Sequence, residues 1–385
     1  MPSYLKSVSS ASDLTRSPEE SVQVPLIDLK AQYLSIKTEL DSAVQEVLRN
    51  GHFILGPETV KVEEEMAKFF GVKHAIGVNS GTDALFLAVK ALGLGKDDEV
   101  IVPAFSFFAT AETVTLAGAR VVFADIRPDT FNLDPKQLEA KITGNTKAII
   151  PVHLYGQPAD MDEILSLARS KNLRVIEDCA QSIGAEYRNV KTGGIGDIGC
   201  LSFFPTKNLG CAGDGGMLLT NNDTLAEQMK LLHAHGSASK YIHSLIGLNS
   251  RLDELQAAII RVKLKYIQAW NEKRRKNAKF YNNNLKNAAI PVTPEHVKHV
   301  YNQYTVRIPD GKRSKFQAYL KEKGVASAVH YPIPMHKQKA YTDLGYNISM
   351  PESEKAAQEV CSLPNYPEMS EEMLNYVVET INSYK

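Results

Sequence analysis

A chain of 385 residues, 43% of them hydrophobic, can bury a sizeable core and divide into two domains. Its 44 basic and 44 acidic residues balance, so the sequence offers no basic face of the kind that selects nucleic acid or an anionic membrane. No apolar run approaches the roughly 20 residues that span a bilayer, and neither nucleic acid nor membrane is an expected partner.

Residues 1 to 24 are rich in Ser and lack an apolar centre. They read as a disordered leader and not as a secretory signal. Lys30 to Arg49 places Leu34, Leu40, Val44, Val47 and Leu48 at helical spacing and stops at Asn50-Gly51. Pro57 to Phe70 is a second helix, with Pro at its start and Gly71 past its end. His74 to Val78 is a short strand. It runs through Asn79-Ser80-Gly81-Thr82-Asp83 into a helix that ends near Leu92. Backbone N–H groups free at such a helix start form an anion site; an ordinary N-cap by Ser80 or Thr82 is the alternative.

Strands and helices then alternate. Strands fall at Glu99 to Val102, Arg120 to Ala124, Lys147 to Val152, Leu173 to Ile176, Gly199 to Phe204 and Gly216 to Thr220. Helices fall at Ser106 to Ala117, Pro135 to Ile142, Asp160 to Ser170 and Asp223 to His233. The pattern predicts an α/β fold with a mainly parallel sheet covered on both faces, and ligands outside the carboxyl ends of its strands. Leu252 to about Leu285 is a long helical stretch leading out of a large domain. Beyond it come a strand at Gln303 to Ile308, a helix at Ser314 to Lys323, a strand at Val325 to His330 and a loop at Tyr331 to Pro334. The expected division is a leader over 1–24, a large domain over 25–265 and a smaller α/β domain over 266–385.

Cys179, Cys200, Cys211 and Cys361 show no CxxC or Cys/His ligand spacing. They read as buried neutral thiols in a reducing cytoplasm, and no metal site is expected. The stretch Leu201 to Gly216 (LSFFPTKNLGCAGDGG) carries more chemistry. An apolar run stops at Pro205 and delivers one amine, Lys207, to a turn containing Gly210, Gly213, Gly215 and Gly216. Such an amine suits Schiff-base formation with a carbonyl cofactor; a solvated surface lysine is the alternative.

Four motifs stand in order: SGTDAL (Ser80 to Leu85), EDCAQ (Glu177 to Gln181), SFFPTK (Ser202 to Lys207) and NSRLDELQAA (Asn249 to Ala258). Together with the opening VPLIDLKAQY and the late HYPIPMHKQ, they resemble the sugar aminotransferases called DegT/DnrJ/EryC1/StrS, over nearly the whole chain from Val24. The resemblance implies an aspartate-aminotransferase fold, also called PLP fold type I, with pyridoxal 5'-phosphate as cofactor. It implies that Lys207 holds the cofactor aldehyde and moves protons, that Asp178 keeps the pyridine nitrogen protonated, and that Gln181 lies near the ring oxygen. Gly81, Thr82 and Ser202 would bind the phosphate, with Asn249 reaching it from a partner subunit. Phe107 aligns with the ring cover, with Phe105 and Phe108 competing. Arg251 could meet a substrate anion or pair with Asp253. His330 and Tyr331 could line a sugar pocket or simply pack. Lysine at position 207 implies transamination, not the dehydration run by relatives with His there.

The implied reaction transfers the amino group of L-glutamate to a nucleotide-linked keto sugar. The segment HAHGSASKYIHSLIGLNSRLDELQAA most resembles members that act at C3 of UDP-linked 3-keto-N-acetylhexosamines, with dTDP-linked 3-keto-6-deoxy sugars close behind. A homodimer with shared active sites and a cytoplasmic location are implied too. A PLP-binding regulator without turnover is the reading from another class, since binding alone does not establish catalysis.

Overall fold

A computed structural model describes residues 23–385, so the expected leader lies outside the described residues up to residue 22. Its last position corrects the expectation. Val24 is 1% exposed, its N–H donates to Gly324 O at 2.9 Å, and its carbonyl accepts from Ala326 N at 2.9 Å. The chain therefore enters by adding an edge to the C-terminal domain.

The large domain is built on seven strands: β1 (His74–Val78), β2 (Glu99–Pro103), β3 (Arg120–Ala124), β4 (Thr146–Ile149), β5 (Arg174–Asp178), β6 (Ile198–Ser202) and β7 (Gly216–Thr220). Their spatial order is β1-β7-β6-β5-β4-β2-β3. Only β7 is antiparallel to its neighbours, β1 and β6. The other six run one way, so β1, β2, β5 and β6 all end on one edge. The register puts Val78, Gly216 and Ser202 in a single row at that edge.

The strands are apolar on both faces because helices cover both. One face of Ile76, Val78, Val100, Val102, Ile176, Ile198 and Leu218 packs against α4 (Gly81–Ala91), α5 (Ala109–Leu116) and α7 (Asp223–Leu232). The other face packs Ala75, Leu201, Met217 and Leu219 against α3 (Pro57–Phe70) and α8 (Glu254–Leu264). Farther along, Ile101, Ile149 and Val175 meet α6 (Met161–Ser170). Glu254, fully buried, ties α8 to α3: its carboxylate accepts from the N–H groups of Gly56, Glu58 and Thr59 at 2.8–2.9 Å. A carboxylate at a helix N-terminus satisfies donors that no backbone carbonyl can reach.

Several expected elements are broken where tertiary contacts interrupt the pattern. The helix read over Lys30 to Arg49 is α1 (Leu29–Ser35) and α2 (Lys37–Asn50). Ile36 between them leaves helical geometry and is buried with Leu40 and Ile259. The stretch from Leu252 splits at Lys265-Tyr266 into α8 and α9 (Ile267–Asn284), where Tyr266 stacks on Trp270. The helix expected from Ser106 begins only at Ala109. Ahead of it the backbone is unwound, and Ala104 O accepts from Met335 N at 2.8 Å. Pro135 to Ile142 forms two 3-10 turns around buried Leu138.

In the C-terminal domain, β8 (Tyr304–Arg307) pairs antiparallel with β9 (Val360–Leu363), a strand missed in the sequence. Val325 to His330 is not a strand: it makes isolated bridges to Val24 and Ser362. α9, α10 (Arg313–Glu322) and a last helix, Glu371–Asn382, close a separate core around Tyr281, Tyr304, Val306, Phe316 and Val377. Among the described residues no helix is long and apolar enough to cross a membrane.

Candidate active site

The sheet edge gathers the expected residues. Ser80 caps α4, its Oγ accepting from Asp83 N at 3.0 Å. Gly81 opens the helix against Ser202. A Cβ on Gly81 would lie 2.7 Å from Ser202 Cβ and 3.1 Å from its Oγ. A Cβ on Gly216 would lie 2.3 Å from Ser80 O. Both positions therefore require Gly, because the helix start is pressed directly onto the ends of β6 and β7. The result is a cup of free helix N–H groups and the Ser202 hydroxyl, the arrangement that favours a phosphate. Gly81→Ala is expected to weaken pyridoxal phosphate binding at least about tenfold while shifting the affinity for phosphate-free pyridoxal less. Spectroscopic titration of both ligands checks this; an equal loss for both would refute the cup.

Asp178 ends β5 and is 5% exposed. Its Oδ2 accepts from Thr110 Oγ1 at 2.8 Å and its Oδ1 from Ala180 N at 3.1 Å. Burial pushes its carboxyl pKa upward, and the hydrogen bonds from Thr110 and Ala180 and the charge of Lys207 oppose that rise. Thr110 was not singled out in the sequence. Its signal was a hydroxyl in the first turn of the helix that follows PAFSFF.

Lys207 sits on the turn after β6, half-buried. Desolvation lowers its amine to about 8, and the nearby Asp178 charge works against that. The turn is held on its far limb by α8: Lys263 Nζ donates to Gly210 O at 2.7 Å, and Gln256 Oε1 accepts from Ala212 N at 2.8 Å.

Gln181 is buried between two tyrosines. Its Oε1 accepts from Tyr155 N at 2.6 Å and its Nε2 donates to the Tyr331 hydroxyl at 2.9 Å. Tyr155 holds a left-handed backbone at φ 59°, uncommon for a non-glycine residue. It is kept there from both ends, since its hydroxyl also donates to His330 O. His330 Nδ1 lies 2.8 Å from Ser362 Oγ, and burial and the Lys207 charge lower its ring to about 4. It is therefore neutral near pH 7. Tyr331 contacts the rings of Phe105 and Phe107 at 6.2 and 6.0 Å, and burial raises its hydroxyl pKa.

The three phenylalanines differ in exposure. Phe105 is fully buried, and Phe108 packs on Tyr341. Phe107 is 55% exposed beside Tyr331 and is the one whose face is free. Asn249 is exposed at the chain surface, away from the contacts just described. Its neighbour Ser250 donates to Asp83 Oδ2 at 2.6 Å and accepts from Asn79 N at 3.1 Å. Arg251 does not make the pair with Asp253, and its buried Nε has no partner among the described residues.

The four cysteines are all buried and free. His153, Glu177 and Cys179 bring ligand atoms within 4.8 Å of one another; Glu177 and His153 already make hydrogen bonds with theirs. Glu177 accepts from Gly193, Ile195 and Gly196 N–H groups and from His153, whose Nδ1 accepts from Ala159 N. Glu177 thus orders the backbone beside Asp178.

The arrangement fits pyridoxal phosphate. An amine of lowered pKa, a buried carboxylate and a cup that excludes Cβ atoms meet at one sheet edge. Comparison with known proteins agrees. The chain is 50% identical to a "Pleiotropic regulatory protein" of Geobacillus stearothermophilus, over 94% of this chain and 99% of that one. It is 48% identical to the UDP-2-acetamido-2-deoxy-3-oxo-D-glucuronate aminotransferase of Pseudomonas aeruginosa, covering 89% and 95%. The crystal structure of S. venezuelae DesV in complex with a ketimine intermediate superposes with a TM-score of 0.91 at 40% identity, covering 94% and 98%. The model of the DegT/DnrJ/EryC1/StrS aminotransferase family matches residues 34–382, and the chain belongs to this family of pyridoxal phosphate-dependent aminotransferases.

Proposed function

We propose that this enzyme transfers the amino group of L-glutamate to a nucleotide-linked 3-keto sugar, of the UDP-linked 3-keto-N-acetylhexosamine type. The observation that carries the reading is the meeting of Lys207, Asp178 and the Gly81–Ser202 cup at one sheet edge. The choice of sugar is supported by the Pseudomonas relative, whose own substrate is a UDP-linked 3-oxo sugar. The unpartnered Nε of Arg251 also supports it, as a group able to take a substrate anion.

When bound, pyridoxal phosphate supplies an aldehyde that takes up the amino group and a ring that delocalises an electron pair. In this reading the chain does the rest. Lys207 holds the aldehyde, then takes a proton from one carbon and returns it to another. Asp178, whose ionised form the hydrogen bonds from Thr110 and Ala180 favour against burial, holds positive charge at the ring nitrogen. Gln181 meets the ring oxygen, and Phe107 covers one face. Gly81, Thr82 and Ser202 donate to the phosphate. Neutral His330 and Tyr331 line the sugar side. The second product is 2-oxoglutarate.

A homodimer completes the site in this reading. Phe53, Ile54, Leu55, Tyr241, Ile242 and Ile246 are exposed, and an exposed Asn249 is available to a partner's phosphate cup. The reading retains a large domain over 25–265, a small one over 266–385, and a cytoplasmic location suited to four free thiols.

A panel of UDP- and dTDP-linked 3-keto and 4-keto sugars with glutamate tests the proposal. The UDP-linked 3-keto-N-acetyl sugar is expected to show the highest kcat/KM, by at least about tenfold. A 4-keto or dTDP-linked sugar in first place would overturn the substrate assignment. The regulator reading retains support in the name of the Geobacillus relative. It predicts that glutamate and other amino donors leave the bound cofactor's absorbance unchanged.

A further inference from the structure

The residue after Lys207 is held by an amide network that none of the roles above uses. Asn208 is 3% exposed. Its Nδ2 donates to Asn271 Oδ1 at 2.7 Å and to Val300 O at 3.1 Å, and its Oδ1 accepts from Asn302 Nδ2 at 2.9 Å. Asn271 and Asn302 are buried as well, at 3% and 9%. The orientation of each amide follows from fixed acceptors. Val300 O can only accept, so the Asn208 nitrogen must face it. Asn271 Nδ2 donates to Ile183 O at 3.0 Å, which turns its oxygen toward Asn208.

These partners come from different parts of the molecule. Asn271 lies on α9, and Asn302 stands two residues before β8. The same short segment is clasped on its other side by the turn that carries Tyr155, with Val300 N donating to Gly156 O at 3.0 Å. There is no room to slide. A Cβ on Gly156 would meet Val300 Cγ2 at 2.8 Å and Asn302 N at 3.0 Å, and one on Gly184 would meet Asn271 Nδ2 at 2.7 Å. Buried amides of this kind are costly unless every group is paired, and paired they specify one arrangement.

We propose that Asn208, Asn271 and Asn302 form a positioning device that locks the backbone beside Lys207 to the leading end of the small domain, so that small-domain placement fixes the position of the amine. Asn208 touches neither cofactor nor substrate in this arrangement; it acts through Lys207. The device rests on the reading of Lys207 as the cofactor-binding amine.

The test uses Asn208→Ala, Asn302→Ala and the double variant, with Asn302→Ser as a milder replacement that cannot span to Asn208. In cofactor-free full-length protein, the pH dependence of Lys207 acetylation is followed by peptide mass spectrometry. Cofactor affinity is measured by absorbance titration. Both single variants are expected to raise the Lys207 midpoint by about one pH unit toward the exposed-lysine value and to weaken cofactor binding at least about tenfold. The double variant is expected to match Asn208→Ala, because that substitution already removes the contact to Asn302. An unmoved midpoint and unchanged affinity, even with a lowered melting temperature, would overturn the device and leave the network merely structural. Fully additive effects would also overturn it. Borohydride reduction of the wild-type holoenzyme keeps the premise separate: failure to find pyridoxyl on the Lys207 peptide refutes the Lys207 reading, whereas its presence with unmoved variants refutes the device alone.

Discussion

Lys207→Ala abolishes turnover and removes the absorbance of the covalently held cofactor: this is the largest effect expected for any single substitution. Two functions are lost together. The amine no longer captures the aldehyde, and the group that carries the proton between carbons is gone. The buried cysteines are no substitute, since burial pushes Cys179 and Cys200 thiols well above their usual pKa and Cys211 up to about 11. Loss of a positioned general base together with the covalent anchor corresponds to roughly a 10⁴-fold drop or more in kcat. The nearby pH dependence has a clear sign. With its pKa lowered to about 8 by desolvation, the amine in cofactor-free protein is mostly protonated below pH 8 and mostly neutral above it. Reaction with pyridoxal phosphate should therefore quicken as pH rises through about 8, earlier than for an ordinary lysine. Stopped-flow absorbance measures this rate, and a midpoint near the ordinary lysine value would contradict the desolvation of the amine. Normal turnover in the Ala variant would remove Lys207 from the chemistry altogether.

Asp178→Asn is the second large expected effect. The substitution keeps shape but removes the charge facing the ring nitrogen. Loss of one preorganised charge partner in a buried site costs roughly 10²–10³-fold in kcat, with cofactor affinity falling less because the phosphate cup is intact. Thr110→Val tests the same carboxylate from behind. Thr110 Oγ1 donates to Asp178 Oδ2 at 2.8 Å, and its bond opposes the upward push of burial on the Asp178 pKa. Its loss should cost about tenfold, within the range of a hydrogen bond to a charged group. Steady-state kcat with separately measured cofactor affinity distinguishes the two carboxylate roles. If Asp178→Asn changed only affinity and left kcat alone, the carboxylate would be a structural cap.

What local sequence determined is whatever local sequence can express. Pro57, Gly71 and the apolar spacing between them set α3 as read, and the short apolar runs at 74, 120 and 216 became strands with the expected bounds. The convergence of Lys207, Asp178, Gly81 and Ser202 at one edge was legible because each stands at or just past a strand end, and parallel strands end together. Elements that depend on distant partners were not legible. Ile36 breaks a helix in order to bury itself against α8, Val325 to His330 lacks the neighbour that would make it a strand, and Val24 is ordered by Gly324 and Ala326.

Tertiary structure alone decided which phenylalanine faces outward, since the three phenylalanines of PAFSFFAT are alike in sequence and only packing on Tyr341 and Phe131 removes Phe108 and Phe105. It alone recruited Thr110 to Asp178, and it alone joined Asn208 to Asn302 across 94 residues. Hydrogen bonds at such separations leave no periodicity in a sequence. Composition and spacing record what a residue needs from its neighbours in the chain; the partner of a buried amide or carboxylate is set by which elements the fold brings alongside it.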